Sequence, residues 1–145
     1  MAHAIGINHV ALEVGDVDEA LAWYSRFVDF ELRGKRSAKA WIDLGDQFIA
    51  LSTGRRQGRD EDRHLGLVVD DKEAVRAALA DAGVAVASRG GLRFDDPWGN
   101  SIEIVDYRDV QFKKAPAILS VLAPEGLAKT EAARAELARK GLAGD

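Results

Sequence analysis

Asp96-Pro97-Trp98-Gly99-Asn100-Ser101-Ile102-Glu103-Ile104-Val105, in the last third of the chain, reads as a tight turn followed by a strand. Proline fixes its own φ and biases Asp96 toward extended geometry. Gly99-Asn100 supplies positive φ at low cost. The strand that follows, residues 101–105, places a carboxylate between two isoleucines, so Glu103 faces away from Ile102 and Ile104. It faces either water or something that needs a carboxylate.

The 145 residues suit one domain, and 47% hydrophobic with 30% charged content is enough for a core without cross-links. There is no cysteine, which excludes thiol catalysis, iron–sulfur clusters and cysteine zinc sites. A formal charge of −4 gives no general basis for binding nucleic acid. No apolar run has the length of a membrane-spanning helix, and residues 1–4 lack the basic and apolar regions of a signal peptide. The expected location is cytoplasmic, with no nucleic-acid and no membrane partner.

Outward from the opening stretch, residues 5–14 alternate and are β-branched, as a strand would be. Asp16 and Glu19 form a capping-box-like pattern, and the spacing of Val17, Ala20, Leu21, Tyr24, Phe27 and Val28 predicts a helix over 17–28. Strands are expected from residue 30, over 39–44 and over 47–52. The polar, densely charged segment 53–63 reads as a solvated linker, its arginines interspersed with acids. A second series follows: strand 64–69, a helix capped by Asp70 with Val75, Ala78, Leu79 and Ala82 on one face and Gly83 as its stop, then strands over 84–87, 91–95 and 101–105.

The two series repeat one another. His9-Val10-Ala11-Leu12-Glu13-Val14 aligns with His64-Leu65-Gly66-Leu67-Val68-Val69, 55 residues on; residues 43–51 align with 96–104 at a shift of 53. His9 and His64 are therefore equivalent, and Glu103 occupies the place of Ala50. A two-fold repeat would bring these positions to one cleft, with three corners filled by His9, His64 and Glu103 and the Ala50 corner open to water or substrate. Two imidazoles and a carboxylate suit Fe(II), and also Mn(II), Ni(II), Co(II) or Zn(II). A single histidine or glutamate in a strand is more often structural or solvated; it is the repeat that lifts these three above that background. His3, near the terminus, is not taken as a ligand.

At these residues the chain resembles the vicinal oxygen chelate superfamily, which includes glyoxalase I, bleomycin-resistance proteins, extradiol dioxygenases and fosfomycin-inactivating transferases. The resemblance spans about residues 6–107. It rests on Asn8-His9-Val10-Ala11-Leu12, on the segment ALAWYSRFVDF over 20–30, on His64-Leu65-Gly66-Leu67, and on Asp96-Pro97-x-Gly99-Asn100-x-Ile102-Glu103. It implies an α+β fold of paired βαβββ modules, about 5–53 and 63–107, forming a curved, barrel-like mixed sheet. That makes a domain over 1–110, and residues 111–145 form an extension with a helix. It also implies one divalent metal per site, a small-molecule substrate and a homodimer whose sites are shared between chains. His9 would then come from one chain, and His64 with Glu103 from the other.

Departures from the family narrow the reaction. Glyoxalase I has a carboxylate where this chain has Ala50. The fosfomycin transferases have a threonine where this chain has Ala11, and their phosphonate-binding basic residue has no clear match over 107–112. Extradiol dioxygenases use a further histidine, and none is spare here. The resemblance thus implies a glyoxalase-like lyase or a ring-cleaving dioxygenase ahead of a transferase, with a metal-free binding or resistance protein as the alternative. No general base stands out; Glu13 and Tyr107 are the candidates. Trp41, Trp98 and the open Ala50 corner are candidate substrate contacts, although such aromatics are more often core residues. In the extension, residues 129–140 have helix-forming composition and Gly141 a fitting stop.

Overall fold

The chain's structure, a computed structural model, describes residues 1–4, 6–88, 90–123 and 126–142. The elements run β1 (His9–Val14), α1 (Val17–Tyr24), β2 (Leu32–Arg36), β3 (Lys39–Asp43), β4 (Phe48–Thr53), β5 (Leu65–Val69), α2 (Lys72–Asp81), β6 (Leu92–Asp95), β7 (Ser101–Asp106), a 3-10 turn (Tyr107–Asp109), α3 (Pro116–Leu122) and α4 (Glu131–Arg139). The α+β class holds. The strands form two sheets of four and three, not closed into a barrel, and the extension carries two helices where one was expected. No described helix is long and apolar enough to cross a membrane.

The chain divides into two compact units, residues 1–65 with 95–101, and residues 66–94 with 102–145. In the first unit the sheet order is β1-β4-β3-β2, with β1 and β4 parallel and the other pairs antiparallel. A parallel pair needs a crossover, and α1 with the β2–β3 hairpin supplies it. Asp16 caps α1 by accepting from the Glu19 amide at 3.0 Å. The helix ends four residues earlier than the periodicity predicts. Residues 25–27 follow as turn, and Phe27 still reaches the core. Leu12, Val14, Ala40, Ile42, Ile49 and Leu51 are buried on one face of the sheet, alongside Val17, Ala20 and Tyr24 of α1. The opposite face is open in part, with His9, Ala11, Glu13 and Lys39 exposed and Trp41, Phe48, Ala50 and Ser52 half-buried.

The turn over 95–101 belongs to this first unit. Asp96 is buried and accepts from the Tyr24 hydroxyl at 2.8 Å, from the amides of Trp98 and Asn100, and from Asn100 Nδ2. Asn100 Nδ2 also donates to the Glu13 carbonyl at 3.0 Å. Gly99 sits at φ +92°, where a Cβ would come 2.9 Å from Arg59 Cα, so only glycine fits. The linker is not uniformly solvated as expected. The Arg55 side chain is only 5% exposed and donates to Asn100 Oδ1 and to the carbonyls of Gly58 and Gly99.

In the second unit the order is β5-β7-β6. The cap of α2 is Asp71 and not Asp70: its carboxylate accepts from the amides of Glu73 and Ala74, each at 3.0 Å, while Asp70 accepts only from the amide of Asp71. Gly83 and Val84 close the helix onto the carbonyls of Ala80 and Leu79. The expected strand over 84–87 is reduced to one antiparallel bridge, Val86 with Phe94. Val75, Leu79, Leu92, Phe94, Ile102 and Ile104 are buried. The 3-10 turn packs against α4, where Ala133 and Leu137 are buried.

Candidate functional site

His9 opens β1 and is exposed. Its ring stacks on Phe48, its register partner on β4, with centroids 4.7 Å apart and planes 8° from parallel. Its Nδ1 lies 2.8 Å from Asn8 Oδ1. An amide oxygen can only accept, so Nδ1 carries the proton, and in the neutral ring the lone pair is then on Nε2. His64, exposed just before β5, repeats this arrangement: its Nδ1 lies 3.1 Å from the Asp62 carbonyl, which fixes the same tautomer. Both imidazoles are thus held in the form that ligates through Nε2, with the other nitrogen oriented by an oxygen.

Glu103 is the third residue of β7, as Ala50 is of β4. Both are half-buried between buried neighbours, so each faces away from the core as the alternation predicts. The Glu103 carboxylate lies against Gly91, where a Cβ would come 2.5 Å from Oε1 and the carboxylate would have to move. Among the described residues, no group of three or more His, Asp or Glu side chains is gathered closely enough to hold a metal ion.

The open face of the first sheet has three rows, read from the pairing register. His9, Phe48 and Asp43 form one; Ala11, Ala50, Trp41 and Gly34 the next; Glu13, Ser52, Lys39 and Arg36 the third. In the first row the Arg33 guanidinium covers Phe48 at 4.8 Å and pairs with Asp43 at 3.1 Å, holding the Asp43 carboxyl below its usual range. In the second, half-buried Trp41 stands opposite Ala50, and its ring lies over Gly34, where a Cβ would come 3.6 Å from Cε3.

The Glyoxalase/Bleomycin resistance protein/Dioxygenase superfamily model matches residues 6–104. The chain belongs to that superfamily. Among solved structures, this superfamily member is similar to a possible glyoxalase from Bacillus cereus, with 24% identity over 70% of this chain and 98% of the other and a TM-score of 0.59. It is also similar to a lactoylglutathione lyase from Agrobacterium tumefaciens, with 20% identity over 72% and 96% of the two chains and a TM-score of 0.58. A third is the fosfomycin resistance protein FosX from Listeria monocytogenes, complexed with Mn(II) and sulfate ion, with 13% identity over 70% and 92% and a TM-score of 0.61. Among curated proteins none matches this chain in sequence.

Of the superfamily member's other candidates, Glu13 is exposed on the same face as His9. Tyr107 is buried; its hydroxyl accepts from the Lys114 amide at 3.2 Å, and Lys129 Nζ lies 3.4 Å from its ring centroid. Trp98 lies over Gly15, where a Cβ would come 2.5 Å from its Nε1. Sequence reasoning missed the Asn8 acceptor, although Asn8 stands in the quoted motif, and it missed the Lys39–Arg36 pair, which becomes visible only once the register is known.

Proposed function

We propose that the chain is a divalent-metal-dependent small-molecule enzyme of the glyoxalase/dioxygenase type, with His9, His64 and Glu103 as ligands. The observation that carries this is the shared tautomer of the two repeat-equivalent histidines, each with Nδ1 turned to an oxygen. The donor set fits a divalent ion such as Fe(II), Mn(II), Ni(II) or Zn(II). The site would be shared in a homodimer, His9 facing the partner subunit's His64 and the partner subunit's Glu103.

When bound, the ion would supply Lewis-acid stabilisation of negative charge on neighbouring substrate oxygens. The protein's own residues bind and orient. Asn8 and the Asp62 carbonyl hold the imidazoles, Trp41 and Trp98 offer apolar surface, and Ala50 leaves room where a fourth ligand would stand. Neither general-base candidate stands beside the proposed ligands: Glu13 is exposed on the His9 face but four residues along β1 from His9, and the Tyr107 hydroxyl is buried.

Metal analysis tests this. One divalent ion per chain in the purified or anaerobically Fe(II)-titrated protein, lost in His64→Ala, is the expected result. A wild-type protein that takes up no divalent ion would instead be a ligand-sequestering resistance protein. Iron with O₂ uptake assigns dioxygenase chemistry, and nickel, zinc or manganese assigns lyase or transferase chemistry.

A further inference from the structure

The open face of the first sheet is chemically graded along its strands. The His9 row sits at one end. The Arg33–Asp43 pair in and beside it cancels its own charge. The middle row is small and apolar around Trp41: Ala11 and Ala50 lie on one side and Gly34 on the other. The last row ends on Lys39 and Arg36, register partners that close the β2–β3 hairpin. Both are exposed, and among the described residues neither has a carboxylate partner; Arg36 leans over the Trp41 ring at 5.9 Å. Glu13 is the one acid in that row, two strands away from Lys39, about 10 Å. The neighbouring Lys35 is already paired with Asp18.

We infer that this face selects an elongated substrate with a flat apolar body and a terminal anionic group, the body on Trp41 and the anion at Lys39 and Arg36. The inference rests on the metal-enzyme reading for the other end of that substrate, where the oxygens bind. Two side-chain steps along a strand separate the His9 row from the Lys39 row, about 13 Å. The reach of a lysine and the stand-off of a metal from its ligands shorten this to the length of a bicyclic aromatic acid. Two small residues, Ala11 and Ala50, beside one tryptophan leave a slot that a ring can enter by stacking. Two unpaired cations at its end favour a carboxylate over a neutral polar group, and arginine can grip it with two parallel hydrogen bonds.

Three probes separate the parts. 2-Naphthoate has the body and the anion, 2-naphthylmethanol the body alone, and 6,7-dihydroxy-2-naphthoate adds neighbouring oxygens at the far end. Binding is measured by calorimetry on the full chain with and without Mn(II). The expected result is that 2-naphthoate binds at least tenfold tighter than 2-naphthylmethanol with or without metal. The doubly substituted Arg36→Gln, Lys39→Gln protein should lose that preference and keep its affinity for the alcohol, and Trp41→Ala should weaken both probes. Equal affinity of wild type for acid and alcohol, or an unchanged preference in the double variant, overturns the inference. A gain for the dihydroxy acid that needs Mn(II) reports on the metal site alone. Its absence would refute the metal reading while leaving the naphthoate comparison intact.

Discussion

The Glu103 carboxylate rests against the backbone of Gly91: a Cβ at Gly91 would come 2.5 Å from Oε1 and 3.4 Å from Cδ. Glycine here makes space rather than supplying an unusual φ. Gly91→Ala should push the carboxylate aside and weaken Mn(II) binding at least tenfold, while Gly66→Ala in β5, where a Cβ meets nothing within 4 Å, should not. Isothermal titration with Mn(II), with circular dichroism to verify the fold, distinguishes them. Equal affinities would remove Glu103 from the ligand set.

Tyr24 and Asp96 bind one another in the core of the first unit at 2.8 Å. Burial first, and the Asp96 charge second, push the Tyr24 hydroxyl far above its usual range, so it remains a donor. Tyr24→Phe leaves Asp96 with one acceptor site unfilled. The expected loss is about 1–3 kcal/mol in urea unfolding at neutral pH. A loss below a few tenths would mean that water replaces the hydroxyl.

The βαβββ pattern was legible because period-two alternation and capping signals are local. The alternation placed Glu103 off the core, and Asp16 marked the start of α1. What was not legible depended on partners distant in sequence. Asp70 and Asp71 are adjacent acids, and only backbone geometry decides which of them faces the amides of Glu73 and Ala74. The strand over 84–87 was expected from composition, but only Val86 finds a bridge partner among the described residues, and a strand needs a ladder. Arg55 resembled its exposed neighbours in sequence, and the turn over 96–100 is what buries it. At the site, the repeat pointed to the three proposed ligand positions, whereas the face shared by Trp41, Lys39 and Arg36 required the register of three strands.

Asp106 is buried at the end of β7, and Arg108 grips it through Nε at 2.8 Å and Nη2 at 2.6 Å. That pairing lowers its pKa to about 2. A folded-state pKa below the unfolded value means that the stabilisation is present above the ordinary carboxylate range and is lost as pH falls toward 2. The Arg108 end is half exposed, so solvent screening keeps the contribution small. Asp106→Asn should therefore be less stable than wild type at pH 7 and nearly equal to it at pH 2. Urea titrations at both pH values check this, and a pH-independent difference would rule out the ionised pair as its source.

Lys129 ties the extension down. Its Nζ donates to the carbonyls of Tyr107 at 2.5 Å and Val110 at 3.1 Å and sits over the Tyr107 ring, while the next residue, Thr130, binds the Arg108 carbonyl. Burial lowers the Lys129 pKa to about 8. Lys129→Ala removes two hydrogen bonds and the cation over the ring, and chymotryptic cleavage between residues 112 and 122 should accelerate several-fold. An unchanged cleavage rate would show that α4 holds itself through Ala133 and Leu137 alone.

Ala50 is the position at which the repeat lacks a carboxylate. It is the third residue of β4, register partner of Ala11 and Trp41, and faces away from the core as Glu103 does. If the two modules supply equivalent corners to one metal site, Ala50→Glu completes a four-ligand set like that implied for glyoxalase I. Metal affinity should then rise, by about tenfold or more for one added charged ligand at close range. The same side chain would occupy the open corner and crowd Trp41, so binding of 6,7-dihydroxy-2-naphthoate to the Mn(II) form should fall. The two effects have opposite signs, and that makes the test sharp. A tighter metal with weaker probe binding supports a shared site with Ala50 at its vacant corner. Unchanged metal affinity would separate Ala50 from the metal and confine the ligand set to His9, His64 and Glu103.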